Sequence, residues 1–204
     1  MCIRDSYLVQ FTRNGRVKKS ALSEYRSADS SGLADLNLLK DDQVVAALLA
    51  NGSGHYLVVA SDGKTLRFTS DEVRASGRIG QGVQGMSLGK GSEVIAAFLI
   101  GEKDGRYLAT LSSAGLAKRT SLDEFPARGR ATGGVAAMAL GPKDRLTSAA
   151  VVAPRDQMLA WTDGEDTARF AAKEMAAAAR DRKGGRVPGI AKEQVAVGLA
   201  RLPE

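Results

Sequence analysis

The chain has 204 residues, 44% hydrophobic and 25% charged, which is enough apolar material for a packed core and argues against wholesale disorder. No run approaches the roughly 20 apolar residues of a membrane-spanning helix, a single cysteine excludes a disulfide framework, and one histidine without an HExxH pattern leaves zinc short of ligands. Lys and Arg number 29 against 23 Asp and Glu, a net charge of +6 that modestly favours polyanionic partners, while 5% aromatics argue against a base-stacking RNA reader.

In chain order, Met1–Ser6 fits no later pattern and reads as an extraneous or disordered lead. Nothing in it resembles a signal peptide, so a cytoplasmic location is expected. From Tyr7 onward the chain repeats itself about every fifty residues. Tyr7–Phe11 leads to Asn14-Gly15 and then Arg16–Lys19, and His55–Ala60 leads to Asp62-Gly63 and then Lys64–Phe68. Tyr107–Leu111 leads to Gly115 and Leu116–Arg119, and Gln157–Thr162 leads to Asp163-Gly164 and then Arg169-Phe170. Each segment predicts a hairpin: Leu, Val and Tyr suit strands, and Asn-Gly and Asp-Gly suit two-residue turns with positive φ.

Later markers keep this phase. Glu24, Glu72 and Glu124 stand nine residues after their turn glycines, and Glu174 stands ten after Gly164, an apparent inserted residue. Gly-apolar pairs follow at Gly32-Leu33, Gly82-Val83, Gly134-Val135 and Gly189-Ile190. Second apolar runs follow at Val44–Leu49, Val94–Ile100, Leu146–Val152 and Val195–Leu199. The expected organisation is one all-β, propeller-like domain over 7–204, in units 7–54, 55–104, 105–156 and 157–204, because a sheet of this size must bury its faces on neighbours. The last unit departs from the others: 25 residues separate Gly164 from Gly189, and the Ala-rich span Ala171–Lys183 predicts a short helix.

Basic residues recur with the repeat. Lys19, Arg67, Arg119 and Arg169 follow the turns, with Lys118 beside Arg119. Arg74 and Arg78, Arg128 and Arg130, then Arg182, Lys183 and Arg186 precede the Gly-apolar phase. The third unit carries most of the surplus, with eight basic against four acidic residues. Around an axis these positions form a basic rim able to neutralise the phosphates of bent duplex DNA without reading bases. The alternative is a rim of solvated edges on a protein-interaction module that engages an acidic partner.

The stretch Arg67-Phe68, Glu72-Val73-Arg74, Gly77-Arg78, Gly82-Val83 and Gly85-Met86 resembles the C-terminal domain of bacterial type IIA topoisomerase A subunits, those of DNA gyrase and topoisomerase IV. Tyr25–Leu38 carries the same likeness, and Lys118-Arg119-Thr120, Glu124-Phe125 and Arg128–Val135 repeat the signature, so that it spans about residues 7–202. The resemblance implies a β-pinwheel whose blades exchange strands and whose basic perimeter wraps double-stranded DNA, supporting control of supercoiling. It implies a fragment of an ATP-dependent topoisomerase, located in the bacterial cytoplasm with the nucleoid. Its implied protein partners are the ATPase subunit of that enzyme, together with the remainder of its own A subunit. Asp181–Val187 is similar to the gyrase heptapeptide Gln-Arg-Arg-Gly-Gly-Lys-Gly, departing at Asp181 and Val187 and lying in the last unit. None of Tyr7, Tyr25, Tyr56 and Tyr107 stands in a cleavage-site context, and there is no Walker A motif. No catalytic residue, metal or cofactor is therefore expected in this chain, and gyrase versus topoisomerase IV stays open.

Overall fold

A computed structural model describes residues 6–202 except 28, 30, 102, 103, 105, 165, 192 and 193. Met1 to Asp5 of the expected lead lie outside the described residues, and Ser6 already belongs to the first strand. Four antiparallel hairpins stand where the repeats predict them: β1 (Ser6–Thr12) with β2 (Arg16–Ala21), β4 (His55–Ala60) with β5 (Lys64–Thr69), β8 (Tyr107–Ser112) with β9 (Leu116–Ser121), and β12 (Gln157–Thr162) with β13 (Thr167–Ala171).

The first three turns are not the two-residue form, which the Asn-Gly and Asp-Gly pairs predict at Gly15 and Gly63. The N–H groups of Gly15, Gly63 and Gly115 donate to the carbonyls of Thr12, Ala60 and Ser112 at 3.0, 3.2 and 2.9 Å. Only the glycines are left-handed, with φ of 82°, 83° and 71°, and Asn14 and Asp62 are not. This is the three-residue loop, a turn closed by a glycine bulge, which needs one positive φ where the two-residue turn needs two.

After each hairpin comes a single 3-10 turn, at Leu22–Tyr25, Ser70–Glu72, Leu122–Glu124 and Ala172–Glu174. A long strand ends each repeat: β3 (Val44–Asn51), β7 (Val94–Ile100), β11 (Leu146–Val152) and β16 (Ala196–Arg201). Between them lie two-residue strands, β6 (Val83–Gln84), β10 (Val135–Ala136), β14 (Ala176–Ala177) and β15 (Gly185–Arg186). The sheet orders are β3-β1-β2-β6, β10-β5-β4-β7, β11-β8-β9-β14 with β15 also on β9, and β13-β12-β16. Hairpin and long strand thus come from one repeat, and the short strand beside them comes from the next. Among the described residues the last sheet has no such added strand.

The chain divides into two compact units, residues 1–58, 66–102 and 127–134, and residues 59–65, 103–126 and 135–204. In the first, Phe11, Tyr56 and Phe68 are buried and stack edge to face, with ring centroids 5.3 and 5.6 Å apart. Such pairs contribute about 1 kcal/mol each beyond their buried area. In the second, Leu111, Val152, Met158, Phe170, Ile190 and Leu199 belong to one buried cluster. Trp161 stands opposite Gly198 on β16, where any side chain would overlap the indole ring.

The expected helix over 171–183 does not form. That span holds the 3-10 turn Ala172–Glu174 and then β14, which runs parallel to β9. Pairing with β9 overrides the helix propensity of alanine, a weak preference against tertiary hydrogen bonds. The fourth repeat also keeps the common frame. Trp161 pairs with Thr167 as Leu111 pairs with Ala117 and Phe11 with Val17, so Gly164 stands one position ahead of the other turn glycines and the apparent insertion vanishes. Position 165, the true counterpart, lies outside the described residues. Gly184, not Gly189, matches Gly82 and Gly134, because β15 follows it and pairs with β9 as β6 pairs with β2 and β10 with β5.

Candidate nucleic-acid interface

The loop between each 3-10 turn and the short strand carries half of the predicted basic residues, and the preceding repeat holds it in place. Arg16 donates from Nε to the Gln81 carbonyl at 2.9 Å and from Nη2 to the Gly82 carbonyl at 2.7 Å. Glycine is required at Gly82: its φ is 68°, and a Cβ would overlap the Val17 carbonyl and sit 2.9 Å from its carbon. At Gly184 a Cβ would stand 2.6 Å from the Ala117 oxygen.

Two of the four phased glutamates, Glu72 and Glu124, are latches on these loops. Glu72 accepts from the Arg130 N–H at 2.8 Å, and Glu124 accepts from the Arg180 N–H at 2.9 Å. Glu174 instead accepts from Ala171 in its own repeat at 2.7 Å. Sequence reading marked the glutamates without assigning them this role, because backbone N–H groups leave no trace in residue identity.

The predicted cations separate by environment. Within the first unit Arg74 and Arg128 are exposed, and Arg78 and Arg130 are half-buried. Arg130 folds onto its own support, with Nε donating to the Glu72 carbonyl at 3.1 Å and Nη1 to the Gln84 carbonyl at 2.9 Å. Arg78 lies close enough to Tyr25 for its charge to act on the phenol. Within the second unit Arg169, Arg182, Lys183 and Arg186 are exposed and Arg180 is half-buried. Asp181 faces Arg182 at 3.9 Å across solvent, an ion pair of little energetic weight.

The post-turn positions share one strand register but not one exposure. The Lys19 ammonium lies 4.5 Å over the Tyr7 ring, and the Arg119 guanidinium lies 4.8 Å over the Tyr107 ring. Arg67 is buried, 8% exposed, and reaches the Gly101 carbonyl at 3.5 Å. Only Arg169 of this set is exposed. β2, β5 and β9 are covered on both faces, so alternation along them no longer separates inside from outside, whereas β13 keeps the alternation and leaves Arg169 on its exposed face.

Lys118 is the clearest departure from the expected rim. Its side chain is 0% exposed, and Nζ donates to the carbonyls of Ala179 and Arg180 at 2.5 and 3.0 Å. Burial lowers its pKa from 10.5 to about 8, against the charges of Glu124 and Asp181. A buried ammonium cannot meet a phosphate; Lys118 holds the loop that carries Arg180, Arg182 and Lys183. Lys18, at the same register on β2, is also buried and donates to Asp35 at 2.6 Å. Asp35 accepts from the Tyr25 hydroxyl at 2.6 Å, and burial with that bond raises the phenol to about 12.

The segment Asp181–Val187 is divided in the same way. Arg182, Lys183 and Arg186 face solvent, while Val187 is buried and donates its N–H to the Gly115 carbonyl at 3.1 Å. Exposed cations that sequence reading passed over include Lys40 and Lys90, just before β3 and β7. Their shared repeat phase was the available signal. Among the described residues no three His, Cys, Asp or Glu side chains group as metal ligands, and no helix is long and apolar enough to cross a membrane.

The family described as the DNA gyrase C-terminal domain, a β-propeller, matches residues 6–51, 55–100 and 106–153, one segment in each of the first three repeats. The DNA gyrase A subunit of Mycobacterium tuberculosis (strain ATCC 25618 / H37Rv) is 34% identical over 201 residues, covering 97% of this chain and 24% of that protein. The DNA gyrase A subunit of Pseudomonas aeruginosa is 34% identical over 200 residues, 98% of this chain and 22% of that protein. The chain thus spans about a quarter of the length of these curated relatives. A crystal structure of the C-terminal domain of DNA topoisomerase IV superposes with a TM-score of 0.90 at 27% identity, covering 97% of this chain and 62% of that one. A DNA gyrase A C-terminal domain has the same fold, with a TM-score of 0.85 at 21% identity, over 98% of this chain and 67% of that one.

Proposed function

Because the chain belongs to the DNA gyrase C-terminal domain family, with the β-pinwheel fold of gyrase A and topoisomerase IV C-terminal domains, we propose that it binds and wraps double-stranded DNA without reading sequence. It does so as part of a topoisomerase A subunit in the bacterial cytoplasm, and so supports control of supercoiling. The observation that carries this reading is a repeated device: a loop latched by the preceding repeat's glutamate and presenting exposed cations, Arg128 beside the Glu72 latch and Arg182 and Lys183 beside the Glu124 latch. Arg74, Arg169 and Arg186 extend the set.

Such cations act by position and charge alone. Each phosphate neutralised releases condensed counterions, so affinity comes from charge and falls steeply with salt. Latching lowers the entropy lost when flexible arginines bind, and a series of fixed contacts offsets the several kcal/mol that bending a duplex costs. Cleavage belongs to the remainder of the A subunit, ATP hydrolysis to the ATPase partner, and the domain supplies the geometry of the bound duplex.

The test is binding to short linear and relaxed circular duplex across a salt series, followed by relaxation of the bound circles with a type I topoisomerase. Steep salt dependence and a changed linking number support wrapping. Indifference to DNA at low salt refutes it and leaves the acidic-protein alternative.

A further inference from the structure

Ile79 bears two separate costs. It is 61% exposed, among the most exposed large apolar side chains of the molecule. Its φ is 65°, a left-handed conformation that disfavours β-branched residues by roughly 1–2 kcal/mol. Glycine would remove both costs, and glycine already stands at Gly77 and Gly80 on either side.

The conformation is held rather than flexible. The Ile79 N–H donates to the Asp35 carbonyl, and Gly80 forms a parallel bridge with Leu36. Asp35 is itself fixed from within by Lys18 and Tyr25. The next repeat builds the same loop: Ala131 has φ 61°, donates to the Gly85 carbonyl at 2.6 Å, and is followed by Thr132 bridged to Met86. There the tip is a methyl group; at Ile79 it is a branched apolar side chain beside Arg78 and on the same loop as the exposed Arg74.

We propose that Ile79 is an apolar wedge that enters the minor groove of bound duplex DNA and partly unstacks a base step. Proteins that bend DNA through the minor groove commonly insert such residues, kinking the duplex so that flanking cations gain further phosphate contacts. A rigid, exposed, β-branched tip on a basic loop has the required shape, and its strain is of the kind retained at functional positions. This inference rests on the DNA-binding reading.

The test compares the whole chain with Ile79→Ala and Ile79→Gly, using end-labelled linear duplex for affinity and bend angle and nicked circles religated in the presence of protein for twist. Neither substitution changes charge, so the salt slope stays that of the unsubstituted chain, while affinity at every salt concentration falls roughly tenfold, as loss of a buried Ile side chain predicts. Bend and linking-number change decrease together. Ile79→Gly melts no lower than the original chain, which separates the effect from unfolding. Binding, bend and twist unchanged in both variants overturn the wedge and leave the electrostatic reading standing. Failure of the original chain to bind DNA overturns both.

Discussion

Replacing Gly82 by Ala, with Gly91→Ala as the control, isolates the energy of strand exchange. Both glycines are left-handed, with φ of 68° and 74°, so both substitutions add the same backbone strain of roughly 1 kcal/mol. At Gly91 a Cβ meets nothing within 4 Å, whereas at Gly82 it overlaps the Val17 carbonyl and lies 3.1 Å from the Lys18 Cβ. To escape, the Gly82 backbone must lift β6 off β2. That breaks the ladder pairing Arg16 with Gln84 and Val17 with Val83, along with the two bonds from the Arg16 guanidinium. At about 1 kcal/mol per hydrogen bond, Gly82→Ala costs about 3–5 kcal/mol against about 1 for Gly91→Ala. In a domain of this size that is a fall in Tm of about 10 °C against about 3 °C. Scanning calorimetry reads the difference, and hydrogen exchange at the Val83 amide reports the lifted strand. Equal shifts in the two variants refute the claim that the exchanged strand contributes to stability.

The loop chemistry leads to two further predictions. Arg128→Ala lowers the salt slope of DNA binding by about 0.9 for each phosphate the side chain no longer neutralises, with little change in Tm, whereas Arg130→Ala, which removes two bonds to the Glu72 and Gln84 carbonyls, lowers stability by about 1–3 kcal/mol; the opposite ranking would place Arg130 at the DNA. Lys118, held near 8 when folded and 10.5 when unfolded, binds fewer protons in the folded state between those values, so its contribution makes the fold more stable as pH rises through that window, by up to about 3 kcal/mol. Urea unfolding of the original chain and of Lys118→Met at about pH 7 and pH 10 checks this, since the substitution removes that gain, and parallel pH profiles would exclude it.

The repeat was legible because its punctuation is backbone chemistry: Gly15, Gly63 and Gly115 occupy a conformation other residues avoid, and the apolar runs became β3, β7, β11 and β16. Gly164 misled by one position because the preceding Asp163 made it look like the same turn. The Ala-rich span misled because propensity is local, while the partner that makes it a strand, β9, lies far away in sequence. Lys18 and Lys118 could not be placed from sequence. Leu66 occupies the matching position on β5, yet nothing in the residues around the two lysines says that their ammonium groups turn inward.

Strand exchange also sets how such a chain can grow or shrink. Every internal repeat lends one short strand backward and receives one from ahead, so each junction between repeats presents the same donor and the same acceptor. A duplication or excision that begins and ends at equivalent points therefore restores intact junctions without any new surface having to be invented. The folding module is offset from the sequence module: it runs from one hairpin past the next hairpin to the short strand that follows it. Breakpoints at equivalent points, such as the turn before β7 matched to the turn before β11, produce arrays of altered blade number, and breakpoints at non-equivalent points, which remove a short strand or a hairpin without its counterpart, do not.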